Sequence, residues 1–309
     1  MTVLYFLESI RNSVLDFFFS AVTHLGEETV FILLAVIFFW CIDKKQGYYL
    51  MTVGFIGTIL NQFLKILFRI PRPWVKDPSF TIVESARAEA TGYSFPSGHT
   101  QSSVGVFGAI ARWNRNTALR IVCVVLCVLI PLSRLYLGVH TPLDVGVSII
   151  IAIALIFGLY PLIYRSFENK SVMRIVLWSM AALSVGLIAF ASLYRFPADV
   201  DPVHLKSTIT NGYKMLGCTV GVCIVYELDE RFIKFSTAAS LPAQIIKFVV
   251  GIIPVIIIKT FLKAPLRALF NDHAFSDALR YFLIVIFVGC VWPLTFKFFS
   301  RLFKKVNNE

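Results

Sequence analysis

The stretch Pro142–Tyr164, PLDVGVSIIIAIALIFGLYPLIY, decides the fold class. From Val145 to Tyr164 it carries no charge, and about twenty such residues in helical form cross a hydrocarbon core of roughly 30 Å. The run is continuously apolar rather than alternating. A helix is therefore expected, because its internal ladder satisfies every backbone group in lipid. Working outward, similar runs lie near 28–42, 47–68, 97–112, 117–136, 172–194, 207–227, 241–262 and 279–300, with an amphipathic helix near 3–22 ahead of them. The expectation is an all-α, polytopic transmembrane helical bundle of about nine spans plus that N-terminal helix. The runs at 28–42 and from Ser97 are short, which leaves tilt, extension by flanking residues or a partly interfacial position for each.

Composition agrees. Of 309 residues, 57% are hydrophobic and 15% charged, and the mean hydropathy is +0.76, which excludes a water-soluble globule. The formal charge of +11 would suit nucleic acid, anionic lipid or basic cytoplasmic loops. Basic tracts interleaved with aromatics are missing, so membrane lipids rather than nucleic acid are the expected partners. Cys41, Cys123, Cys127, Cys218, Cys223 and Cys290 all sit in apolar runs and read as small hydrophobes, with no disulfide or zinc framework. Glu8, Arg11 and Asp16 among the first apolar residues argue against a cleavable signal segment.

Charge alternates between loops. Lys44 and Lys45, Arg112 to Arg120, Arg165 to Arg174, Arg231 and Lys234, and Lys297 to Lys305 form one set, cytoplasmic by the positive-inside rule. The opposite set holds Arg69, Arg72, Lys76 and Arg87, then Arg134, His140 and Asp144, and finally Lys263 and Arg267. Cations on that side need a separate reason, and chemistry on the extracytoplasmic face supplies one. The cluster Lys259, Lys263, Arg267, Asp272, His273 and Asp277 reads as a solvated loop with snorkelling lysines, ahead of a headgroup-binding role. The long connection 69–95, with Pro71, Pro73, Pro78 and Gly92, exceeds what a helix-to-helix turn requires and is expected to cover or line a site.

Three short motifs fall at the ends of successive spans on that face. In Lys65-Ile66-Leu67-Phe68-Arg69-Ile70-Pro71-Arg72-Pro73, Lys65 closes a helix that Pro71 then breaks, so two cations meet at one depth. Arg72 offers a planar fork to phosphate oxygens and Lys65 a point charge, while Arg69 reads as an interfacial anchor. In Pro96-Ser97-Gly98-His99, Ser97 is a natural N-cap and Gly98 lets backbone approach a ligand where an apolar helix begins. Amide donors and the helix dipole there favour an anion, with His99 beside it as general acid. In the third, Ser133-Arg134 is followed by His140 and Asp144 at i, i+4 spacing. The carboxylate can fix the imidazole tautomer and leave the other nitrogen free to attack. Taken alone, each motif has a bland reading as caps and anchors; in this order, they point to phosphoryl chemistry.

This constellation resembles the type 2 phosphatidic acid phosphatase superfamily across roughly 50–165. The matching positions are Lys65, Arg72 and Pro73, then Pro96 to His99, then Ser133, Arg134, His140 and Asp144. The resemblance implies an integral-membrane phosphohydrolase that uses no metal or other cofactor and proceeds through a phosphohistidine. It makes His140 the nucleophile, Asp144 its orienting partner and His99 the acid for the leaving oxygen. Lys65, Arg72, Arg134, Ser97 and the Gly98 amide would hold the phosphate. Three cations and a helix terminus can stabilise a transferring phosphoryl group without magnesium.

A site at the membrane surface suits a lipid phosphate. Members of the superfamily act on phosphatidic acid, phosphatidylglycerophosphate, undecaprenyl and other polyprenyl pyrophosphates, or sphingoid phosphates. Two alternatives stand beside this: a glucose-6-phosphatase-like sugar phosphatase, and a lipid transporter or scaffold built on the same fold. The division expected is a phosphatase core over 1–166 and additional helices over 167–309 that shape tail access or mediate assembly, homo-oligomers included. The compact loops suggest a bacterial plasma membrane with an outward-facing site.

Overall fold

The computed structural model describes residues 1–166, 168–198 and 200–301. Lys304 and Lys305, counted above among the cytoplasmic cations, lie outside the described residues. Among the described residues there is helix and no strand.

The helices are α1 (Thr2–Ser9), α2 (Ser13–His24), α3 (Glu28–Ile37), α4 (Lys44–Phe68), α5 (Pro73–Lys76), α6 (Gly98–Trp113), α7 (Thr117–Tyr136), α8 (Pro142–Arg165), α9 (Lys170–Leu193), α10 (Pro202–Leu228), α11 (Leu241–Phe261), α12 (Lys263–Leu269), α13 (Phe275–Ile286) and α14 (Phe296–Arg301). The expected runs 117–136, 142–164, 172–194 and 241–262 coincide with α7, α8, α9 and α11 to within two residues at each end.

Six stretches are long and apolar enough to cross a membrane: Lys44–Lys76, Thr117–Tyr136, Pro142–Arg165, Lys170–Leu193, Leu241–Phe261 and Phe275–Arg301. A seventh is available if Ser13–His24 and Glu28–Ile42, bent by 48°, count as one span. The count of nine would also need α6 and α10. At about 1.5 Å per residue, the 16-residue α6 is shorter than a hydrocarbon core. The 27-residue α10 is long enough but is interrupted by Lys206, Asn211 and Lys214.

The single helix expected over 3–22 is instead two. The chain breaks between Ser9 and Ser13, and Asn12 Oδ1 restarts it by accepting from the amides of Val14 and Leu15 at 3.2 and 3.1 Å. Asn116 caps α7 in the same way at Leu119 N, 3.0 Å. That helix runs on through Pro131 to Tyr136.

The chain forms two compact units. The first unit is Met1–Leu33, Tyr49–Arg165 and Leu193–Thr208; the second is Leu34–Tyr48, Ser166–Ser192 and Ile209–Glu309. Local contacts account for the place of 193–208 in the first unit. The Tyr93 hydroxyl accepts from Asp201 N at 3.2 Å, and the Tyr93 and His204 rings meet edge to face at 4.6 Å.

In the first unit α6 packs against α7 and α8, and α1 and α2 lie on α7. The 69–95 connection has cores of its own. Ala86 and Ala90 pack with Tyr136, Leu137 and Val139, and Phe80 and Ile82 pack with Leu4. Gly138, at φ +80°, turns the chain between α7 and α8 where a Cβ would sit 2.7 Å from the Arg11 guanidinium.

Within the second unit, Lys44 Nζ lies 2.5 Å from Asp229 Oδ2, and Arg174 Nε 2.5 Å from Glu227 Oε1. The buried Lys247 ammonium donates to Trp40 O at 2.7 Å and lies 4.3 Å from the Phe296 ring centre. A carbonyl and a ring face thus accommodate that cation, in keeping with the high cost of an unpartnered charge inside a span.

Candidate active site

Every sequence-predicted site residue lies in the first unit, at a helix end or an adjoining turn. Lys65 is on the last turn of α4, and Arg72 immediately precedes α5. Ser97 caps α6, Arg134 is on the last turn of α7, and Asp144 is on the first turn of α8. Four helix ends and two turns therefore converge, which is how residues spread over eighty positions of sequence reach one place.

Arg72 is the hub. Its Nε donates to Gly92 O at 3.0 Å, Nη2 to Thr91 O at 2.8 Å, and Nη1 to Val139 O at 2.9 Å. Nη1 also lies 2.9 Å from His140 Nε2. A guanidinium has donors only, so His140 Nε2 must present its lone pair, and the neutral ring carries its proton on Nδ1. Nδ1 points to Asp144 Oδ2 at 3.6 Å, which is ion-pair range and longer than a hydrogen bond. The short bonds to that oxygen come from elsewhere. Ser94 Oγ donates at 2.6 Å and Thr141 N at 2.7 Å, and Ser94 Oγ is also 3.5 Å from His140 Nδ1. The i, i+4 pairing is present, with Ser94 seated against both partners.

His140 is 2% exposed, in the turn between α7 and α8. Its imidazole is held well below the ordinary histidine range, first by burial and then by Arg72, Arg134, Lys65 and His99 nearby. The ring is thus kept neutral among three cations, the protonation state a nitrogen nucleophile needs.

The loop and α6 complete the frame. Lys65 Nζ donates to Tyr93 O at 2.6 Å. Ser97 Oγ accepts from Thr100 N at 3.4 Å, Ser97 N donates to Asp144 O at 3.2 Å, and Ser148 Oγ bridges Ser97 O and Asp144 O at 3.0 and 2.8 Å. The starts of α6 and α8 are thereby tied together. A Cβ at Gly98 would meet no protein atom closer than Asn61 Oδ1 at 3.8 Å, so the backbone there is approachable. Arg69, at φ +50°, donates from Nη1 to Ile66 O and Leu67 O at the end of α4.

His99 Nε2 lies 3.5 Å from Glu89 Oε2. Beyond it, His24 Nδ1 is 3.4 Å from Glu89 Oε1 and 2.5 Å from Glu27 Oε1. His24, Glu27 and Glu89 bring ligand-type atoms within 4.8 Å of one another. The 2.5 Å approach is a hydrogen bond, shorter than the roughly 3 Å or more that separates two donors on one ion with bonds of about 2.1 Å.

Sequence reasoning missed Ser94 and Thr23, and it placed Glu89 only in the long loop. Arg134 Nη1 donates to Thr23 Oγ1 at 2.6 Å across 111 positions of sequence, and no local pattern marks such a pair. Ser94 carries one weak signal, a small polar residue just ahead of the Pro96–His99 motif.

The PAP2 superfamily pattern matches residues 45–168, and that of the PAP2 superfamily phosphatase, transmembrane extension, matches 213–305. A probable sphingosine-1-phosphate phosphatase of Dictyostelium discoideum is 33% identical over 165 residues, covering 49% of this chain and 39% of that protein. Undecaprenyl-diphosphatase BcrC of Bacillus subtilis is 30% identical over 151 residues, covering 48% of this chain and 75% of the relative. Sphingosine-1-phosphate phosphatase 2 of Homo sapiens is 23% identical over 279 residues, 82% of this chain and 66% of the relative. The chain thus spans about two fifths of the Dictyostelium protein's length. No solved structure matches.

Proposed function

Because this chain belongs to the PAP2 superfamily, we propose that it is a lipid phosphate phosphatase of the membrane, working at the extracytoplasmic face through a phosphohistidine. The observation that carries the reading is the Arg72–His140–Asp144 geometry. A neutral, buried imidazole presents an unprotonated Nε2 to Arg72 Nη1 at 2.9 Å, with a carboxylate behind its other nitrogen.

In the proposed reaction the phosphate enters among Lys65, Arg72, Arg134 and the start of α6. His140 Nε2 attacks phosphorus, and the P–O bond to the lipid breaks. His99 gives its proton to the leaving oxygen. The imidazolium formed at His140 keeps its Nδ1 proton toward Asp144. Water then attacks phosphorus, its proton passes to His99, and the P–N bond breaks to free orthophosphate and the neutral imidazole.

The substrate class proposed is a lipid monoester, sphingoid base phosphates first. The sphingosine-1-phosphate phosphatase 2 likeness runs along most of the chain, whereas the undecaprenyl-diphosphatase likeness covers about half. A polyprenyl diphosphate is the second reading, favoured by the 75% coverage of that relative. Nine crossings, with α6 and α10 as short and polar spans, would put the basic loop set in the cytoplasm and the site outside.

The test is phosphate release by the purified chain from sphingoid phosphates, phosphatidic acid, prenyl diphosphates and hexose phosphates. Turnover of lipid monoesters above the others supports the reading. Turnover of hexose phosphates alone, or of none, rejects it.

A further inference from the structure

Thr23 is on the last turn of α2, outside the family-matched segments 45–168 and 213–305. It is 3% exposed, and its hydroxyl accepts the 2.6 Å bond from Arg134 Nη1. Arg134 is itself 1% exposed, and its Nε is buried without a hydrogen-bond partner among the described residues. A guanidinium brings five N–H donors and no acceptor, so in a buried site most must find oxygen.

The kind of acceptor matters. A carboxylate at position 23 would neutralise the fork and compete with an incoming anion. A hydroxyl holds the fork in place and leaves its charge available. Glu89, an anion that acts on Arg134 through space, lies 3.4 Å from His24 Nδ1 and 3.5 Å from His99 Nε2.

The hydroxyl is also held rigidly with respect to α7. Phe19 stacks on Tyr136 at 4.4 Å, and the Tyr136 hydroxyl donates to Asp16 Oδ1 at 2.7 Å. Just past α2, a Cβ on Gly26 would lie 2.8 Å from Ile130 Cγ2, so the two segments approach closely.

We propose that Thr23 is a positioning residue of the phosphate cradle: its hydroxyl fixes the Arg134 fork so that the remaining donors stay available to phosphate oxygens. Helix α2 is then part of the phosphate site. The proposal rests on the reading of Arg134 as a phosphate ligand.

The experiment measures binding of inorganic phosphate by calorimetry to the full-length chain in detergent, with thermal melts to verify folding. Thr23→Val, which keeps shape and removes the hydroxyl, should weaken binding about 3- to 10-fold. Thr23→Ser should bind within about twofold of the unmodified chain. With Arg134→Lys already present, Thr23→Val should add less than about twofold, because the pair acts as one unit. If Thr23→Val does not fold, Thr23→Ala takes its place with the same expectations.

Unchanged binding in Thr23→Val, equal weakening with and without Arg134→Lys, or normal binding by Arg134→Lys alone would overturn the proposal. A chain that binds phosphate with this pattern yet hydrolyses no lipid phosphate would instead reject the proposed function and leave Thr23's role standing.

Discussion

Arg72 Nη1 lies 2.9 Å from His140 Nε2, with the other edge of the same guanidinium spent on the carbonyls of Thr91 and Gly92. One side chain therefore fixes the tautomer of the proposed nucleophile and staples the long loop beside it.

Arg72→Lys should be far from neutral. An ammonium cannot reproduce a planar fork that reaches four partners. Phosphate release should fall by about 100-fold or more in kcat/KM, since two or more charge-assisted bonds of roughly 1.5–3 kcal/mol each are lost. A Lys variant within tenfold of the parent would show that charge alone suffices there.

Ser94→Ala tests the brace behind the nucleophile. Ser94 Oγ donates to Asp144 Oδ2 at 2.6 Å in a fully buried setting. Its removal should lower kcat by about 10-fold, the worth of one bond to a charged group, with KM little changed. A KM effect without a kcat effect would place Ser94 in binding instead.

How much of this was legible beforehand differs by residue. Lys65, Arg72, Ser97, His99, Arg134, His140 and Asp144 stood out because helix ends, prolines and i, i+4 spacing are local signals. The spans at 117–136 and 142–164 were equally plain, since a continuous apolar run needs no tertiary information. Thr23, Ser94 and the attachment of 193–208 to the first unit were not visible, because each depends on contacts between distant segments. The 3–22 segment misled for a different reason. Its apolar periodicity continues through Ser9–Asn12, and the break there is made by capping at Asn12 rather than by any loss of hydrophobic pattern.

His140 also makes a pH prediction. A buried imidazole with a lowered folded pKa binds fewer protons in the folded state than in the unfolded one. Its contribution is therefore neutral above the unfolded value of about 6.5, and stability is lost as pH falls from there toward the lowered folded value. Melting temperatures between pH 7.5 and 5 should drop more steeply for the parent than for His140→Gln. Parallel curves would contradict the burial of a neutral ring.

His99→Ala should slow substrates with poor leaving groups most, because a departing lipid alkoxide needs a proton and an activated aryl phosphate does not. A loss of about 100-fold or more is expected on lipid phosphates against less than about tenfold on the aryl ester. Equal losses would remove His99 from the acid role.

The central claim is that His140 carries the phosphoryl group, and trapping it is the most direct measurement. The chain is mixed with a radiolabelled sphingoid phosphate, quenched in alkali during the first turnovers, digested and mapped. The account predicts alkali-stable, acid-labile label on the peptide containing His140, and none with His140→Ala. Label on another residue, or steady phosphate release with no labelled protein in the first turnovers, would contradict it.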